Sequence, residues 1–149
     1  MRSTVVVDTS IVIKWVLNEP DSAMALALLN EWSINGTAIR APALLIYELT
    51  NALYQHIRKN DETLEEAKQA LVDAFLVNLE LDFSLDIALS IRAMEFAHQH
   101  KLPATYDPHY LALAERESCE YWTADKRLWN AVKGKLTWVR WFGDYQSIM

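Results

Sequence analysis

In the stretch VVVDTS a run of β-branched residues ends on Asp8, and in YWTAD a second apolar run ends on Asp125. Two further acids stand at informative places. Glu48, in LLIYELTNAL, lies one turn after Leu45 and one turn before Ala52, so it borders an apolar stripe. Asp107, in TYDPHYLALAE, stands at a helix start with Pro108 directly after it. Gathering four carboxylates is costly, because like charges at short range disfavour ionisation. Hard divalent cations offset that cost. Mg²⁺ takes oxygen ligands while keeping several waters, and Mn²⁺ shares its ligand chemistry. Such a metal lowers the pKa of a bound water and steadies charge on a phosphodiester. Each acid also has a structural alternative. Asp8, Asp107 and Asp125 could each cap the helix that follows, and Glu48 could be an ordinary helix-border acid.

The elements that must position these acids alternate between strand and helix. Thr4 to Val7 reads as a short buried strand, and Ser10 to Leu17 as a helix capped by Thr9 or Ser10. A helix from Asp21 to Trp32 carries Ala23, Leu26, Ala27 and Leu29 among its apolar positions and ends at Asn35-Gly36. Thr37 to Ala41 is a second strand. Pro42 suits the first turn of a helix reaching Lys59, with Leu45, Leu49, Ala52 and Leu53 on one face. Further helices are expected at Leu64 to Val77, Leu85 to His100, Pro108 to Arg116 and Lys126 to Val132. Strands are expected at Leu79 to Phe83, Glu120 to Thr123 and Thr137 to Val139. This alternation implies an α/β fold with a mainly parallel sheet, whose ligands bind beyond the carboxyl ends of the strands. Asp8 and Asp125 emerge there.

Composition narrows the function classes. One domain spanning residues 1–149 is the simplest organisation, with no repeat or low-complexity linker. No apolar run approaches the roughly 20 residues that span a bilayer, and no signal-peptide pattern opens the chain. Cys119 is the single cysteine, so neither an internal disulfide nor a cysteine cluster for zinc is possible. A cytoplasmic protein without a membrane anchor is the expectation. A net charge of −6 opposes a broad basic nucleic-acid surface, although metal ions in an acidic site would reverse the sign locally. With three glycines and neither GxGxxG nor a P-loop, dinucleotide and nucleoside-triphosphate sites are excluded.

Other residues have two readings each. Lys126 and Arg127 could meet a phosphodiester backbone or form a solvated helix face, and Lys14 could steady a phosphate or lie on the surface. His98 and His100 point to different helix faces, and His109 reads as a surface residue. Of six tryptophans, Trp15, Trp32 and Trp122 read as core. Trp138 and Trp141, with Phe142, read as core or a subunit interface, or as a surface for stacking bases.

The chain resembles the PIN-domain ribonucleases, and within them the VapC-type toxins of prokaryotic toxin–antitoxin pairs. The stretches VVVDTSIVIKWVLNEP, APALLIYELTNAL, TYDPHYLALAE and YWTADKRLWNAV carry the resemblance, in family order and over essentially the whole chain. It implies a small PIN-like α/β/α sandwich and Mg²⁺- or Mn²⁺-dependent hydrolysis of RNA by a metal-activated water, leaving a 5′-phosphate and a 3′-hydroxyl. It places the metal-binding acids at Asp8, Glu48, Asp107 and Asp125, with Ser10 or Thr9 as a supporting hydroxyl and Asn51 orienting Glu48. It also implies a VapB-like or other cognate antitoxin and a homodimer. The chain departs from the family in two places. Lys126 and Arg127 stand where a further acid can follow Asp125, and AERESCEYW lacks the glycine common before the last core strand. A receiver-like module binding Mg²⁺, a non-catalytic PIN-like RNA- or partner-binding domain and a structure-specific DNA nuclease are the alternatives.

Overall fold

The structure, a computed structural model, describes residues 3–146. Residues 147–149 of the tail and residues 1–2 of the expected domain lie outside the described residues. Five strands form one sheet: β1 (Thr4–Val7), β2 (Ala38–Pro42), β3 (Leu79–Asp82), β4 (Glu120–Thr123) and β5 (Val139–Trp141). Their order is β3-β2-β1-β4-β5 and every pairing is parallel. The short strands form a sheet covered on both faces by helices, an α/β/α sandwich, which is why β1 reads as a continuous apolar run. The connections from β1 build outward through β2 to β3, and the chain then returns to add β4 and β5 on the other side of β1. The order therefore reverses between β1 and β4, and the crevice at their carboxyl ends is the ligand position in such sheets. Receiver-type modules follow the order 2-1-3-4-5, which this sheet does not.

The helices are α1 (Thr9–Val16), α2 (Ser22–Ile34), α3 (Leu44–Arg58), α4 (Leu64–Ala74), α5 (Ile87–Gln99), α6 (Tyr106–Arg116) and α7 (Lys126–Val132). From Tyr110 to Ala114, α6 is buried on every side, because it lies between β1, β2 and β4 and the neighbouring α5. In α3 the buried residues are Leu45, Leu49 and Leu53, the expected stripe, with Glu48 at its edge. Each such leucine contributes roughly 1.5–3 kcal/mol through burial.

Several boundaries differ from the sequence reading. Pro42 ends β2, paired with Asp82, and α3 starts only at Leu44. Proline lacks a donor, which the last residue of a strand tolerates as readily as a first helical turn does. The α4 helix stops at Ala74, after which Asn78 takes a positive φ of 62° to enter β3. The last strand is Val139–Trp141, because the amide of Val139 closes a turn onto the carbonyl of Leu136. The inward face of α2 is Ala25, Leu28 and Trp32, and Leu26 is exposed. Trp32 sets that rotation by packing edge-on against Trp15 and Trp122 at 6.4 and 5.9 Å. Trp15 and Trp32 are core as expected, and Phe142 is buried with them. His100 is buried and stacks on Phe96 at 6.2 Å. Among the described residues, no helix is long and apolar enough to cross a membrane.

Candidate metal centre

Asp8 leaves the end of β1 and is 4% exposed. Its Oδ1 accepts hydrogen bonds from the Ser10 amide (3.0 Å) and the Ser10 hydroxyl, and its Oδ2 from the hydroxyls of Tyr121 (2.7 Å) and Thr123 (2.5 Å). Asp8 is thus the N-cap of α1 and also the centre of a network that crosses to β4. The same hydroxyls tie the strand ends together. Ser10 Oγ accepts from the Ala124 amide at 2.8 Å, and Thr123 Oγ1 from the Asp125 amide at 3.0 Å. Burial pushes the Asp8 carboxyl above its ordinary range, against the pull of its hydrogen bonds, and the charge of Asp125 pushes the same way.

Asp125 is likewise a cap, just past the end of a strand. One oxygen accepts from the amides of Arg127 (2.9 Å) and Leu128 (3.3 Å), capping α7. Asp107 is not a cap. Thr105 occupies the N-cap of α6 and Asp107 is the second helical residue, free of that duty. Glu48, half-buried on α3, accepts from the Tyr110 hydroxyl at 2.6 Å. Burial raises the Glu48 carboxyl, and Asp8 raises it further.

Asp107 reports on the whole cluster. Its carboxyl is pushed up to about 7, first by burial and then by the charges of Asp8, Asp125 and Glu48. All four acids are therefore electrostatic neighbours although they come from four separate elements. Glu48, Asp107 and Asp125 line a cavity of about 260 Å³ with Arg127 at its wall.

The supporting residues sort differently. Ser10 bridges Asp8 to β4. The Thr9 hydroxyl oxygen is buried and faces the Tyr110 hydroxyl. Asn51 does not bond to Glu48: its side-chain oxygen accepts from Gln55 at 3.3 Å, because the side chain is exposed on the outer side of α3. The Lys14 ammonium lies 3.0 Å from both Glu19 and Asp21, so its charge is spent locally. Lys126 and Arg127 make no ion pair among the described residues. His109 joins α6 to α5, its Nδ1 2.6 Å from the Thr105 carbonyl and its Nε2 3.1 Å from the Ser90 hydroxyl.

Sequence reasoning missed Tyr110, Tyr121 and Thr123. The two tyrosine rings stack at 5.8 Å and 17°, one hydroxyl on Glu48 and the other on Asp8. Burial beside those carboxylates raises both phenols above their ordinary range, so both remain donors. The spacing of Tyr110 three residues after Asp107 was a usable signal for a shared helix face. Tyr121→Phe keeps the ring stack and removes one donor from a buried carboxylate. It is expected to lower stability by about 1–3 kcal/mol in a urea titration. An unchanged midpoint would mean that Asp8 does not depend on this hydroxyl.

A family model for the PIN domain matches residues 5–135. The chain belongs to the PIN domain family. PIN domains are generally nucleases and generally use divalent metal ions. Solved structures share the fold of this PIN domain. A toxin–antitoxin complex from Klebsiella pneumoniae matches with a TM-score of 0.66 at 15% identity, over 91% of this chain and 95% of that one. VapBC2 from Rickettsia felis, bound to a DNA fragment from its promoter, matches at 0.63 and 18% identity, over 93% and 98%. The sarcin–ricin loop cleaving toxin VapC20 of Mycobacterium tuberculosis matches at 0.58 and 14% identity, over 80% and 87%. A comparison with curated proteins found no match.

The donor set of this PIN domain fits a hard cation. It consists of carboxylate oxygens from four elements, with the carboxyls of Asp8, Glu48 and Asp107 raised above their ordinary range by burial and by neighbouring acids. Among the described residues, no three His, Cys, Asp or Glu side chains converge as a ready-made metal cage. The hydrogen bonds account for that. Both Asp8 oxygens face two donors each, and Glu48 Oε1 faces Tyr110.

Proposed function

We propose that this PIN domain is an Mg²⁺- or Mn²⁺-dependent endoribonuclease of the VapC type, the toxin of a toxin–antitoxin pair. The observation that supports it most is Asp107, whose carboxyl is raised by burial and by three other acids at the reversal point of the sheet. At neutral pH four such groups stay together only with bound protons or a counter-charge, and a divalent cation supplies the latter. Asp8, Asp107 and Glu48 would hold the principal cation, with Asp125 completing the cluster. The cation supplies Lewis acidity toward a phosphodiester and its attacking water.

The chain's own residues do the positioning. Ser10, Tyr121 and Thr123 hold Asp8 rigid, and Tyr110 holds Glu48. Arg127, at the cavity wall and without an ion pair among the described residues, meets the RNA phosphate. In the reaction a water oxygen bonds to phosphorus and the bond to the 3′ oxygen breaks. The proton lost by the water is balanced by the one gained by the leaving oxygen, giving a 5′-phosphate and a 3′-hydroxyl. The Klebsiella and Rickettsia structures are of toxins with antitoxins, and by likeness of fold this chain would be silenced by an antitoxin of its own. It would act in the cytoplasm as a homodimer.

The test is cleavage of a mixed RNA pool with Mg²⁺ or Mn²⁺, and again with EDTA. Cutting that requires the metal is the expected result. Intact RNA in both, from protein that demonstrably binds the metal, would replace this reading with a non-catalytic RNA- or partner-binding domain.

A further inference from the structure

The carboxyl edge that carries the acids also carries a pair of tryptophans that metal-assisted chemistry does not use. In the register of β4 and β5, Trp141 pairs with Thr123, whose hydroxyl bonds Asp8. Neighbouring strands lie about 4.8 Å apart, so Trp141 begins one strand away from the acidic cluster. Its indole stacks with Trp129 of α7 at 6.3 Å and 24°, and both rings are only half-buried. The Lys126 ammonium lies 4.7 Å over the Trp141 ring, and Lys126 directly follows Asp125. A second cavity of about 270 Å³, separate from the acidic one, runs along β5 from the loop before it to Trp141, with Trp122 and Trp129 on its wall beside Arg140 and Asp144. Gly143 makes the arrangement possible, since a Cβ there would run into the Trp141 indole nitrogen.

We propose that Trp141 and Trp129 form a stacking site for a nucleobase of single-stranded RNA beside the scissile phosphate, with Lys126 on the adjoining phosphate. The inference rests on the ribonuclease reading above and specifies how that site takes its substrate. Charge favours RNA as the occupant. In a chain of net charge −6, Lys126 and Arg127 are cations without an ion pair among the described residues; Lys126 lies over the Trp141 ring and Arg127 lines the adjoining acidic cavity. Every base has a π-face, so the site supplies affinity and register without selecting sequence.

The experiment measures binding of a labelled single-stranded RNA oligonucleotide by anisotropy, with the metal chelated, and then cleavage kinetics with Mn²⁺. Trp141→Ala is expected to weaken binding about tenfold or more. It raises KM with little change in kcat, because the stack is made equally in ground and transition states. Trp141→Phe restores most of the affinity, and Trp141→Ala keeps a cooperative melt within a few degrees of the parent, which separates lost stacking from lost folding. Gly143→Ala, which displaces the indole without deleting it, weakens binding as Trp141→Ala does. An RNA backbone carrying abasic residues binds the parent and Trp141→Ala equally. Parent-like binding and KM in Trp141→Ala, with the parent cutting RNA, would overturn this proposal and leave the nuclease reading standing. If that variant instead lost self-association or antitoxin binding, the surface would belong to a protein partner. A parent that neither binds nor cuts RNA would overturn both.

Discussion

Asp107→Asn protein is expected to cut RNA at least about a hundredfold more slowly than the parent, a loss of the size that even outer partners of a metal ligand can cause. The substitution exchanges an anionic oxygen pair for a neutral amide in the one residue that feels all three other acids. The fold should not suffer, because Asp107 caps nothing: Thr105 holds the N-cap of α6. Without metal the variant should be as stable as the parent or more so at pH 8, since a buried like charge has gone. Asp8→Asn should also abolish cleavage, together with any growth arrest on expression. Its amide oxygen can face the Ser10 amide, while the Tyr121 and Thr123 hydroxyls turn to accept from its nitrogen. Single-turnover rates and melts in EDTA would decide both cases. Parent-like cutting by either folded variant would remove the metal-ligand assignment.

The second large effect is in pH and metal together. In the metal-free protein Asp107 has a folded pKa of about 7 against an ordinary 3.8, and burial moves Asp8 and Glu48 in the same direction. The folded state therefore holds protons that the unfolded state releases. That contribution to stability is complete below about pH 4 and is lost as pH rises through about 7. For Asp107 the loss is at most about 4 kcal/mol, from roughly three pH units at about 1.4 kcal/mol each, and less after solvent screening. A cation bound by the ionised acids removes the penalty where it is largest. Thermal melts should show a larger rise in Tm with Mn²⁺ over EDTA at pH 8 than at pH 5. Equal shifts at both pH values would show that the metal does not bind the titrating carboxylates.

Much of this was legible in the chain itself. The β-branched run before Asp8 and the apolar run before Asp125 specify buried strands, and both acids emerge at the carboxyl edge because side-chain period and burial are local properties. The Leu45, Leu49 and Leu53 stripe fixed which side of α3 faces inward, and with it the border position of Glu48. The ordered motifs carry the PIN family in the sequence alone. What local pattern could not supply is which distant groups meet. Tyr121 and Asp8 are 113 residues apart and touch only because β4 lies against β1, a consequence of strand order. The partner of Glu48 is Tyr110, 62 residues away, and not nearby Asn51, which is exposed and bonds to Gln55. Lys14 is drawn to Glu19 and Asp21, beyond the reach of any helical spacing rule. Trp141 meets Trp129 only once β5 is paired with β4. Residue types and periods set the elements and the chemistry on offer; long-range packing, which depends on the whole chain at once, chose the partners.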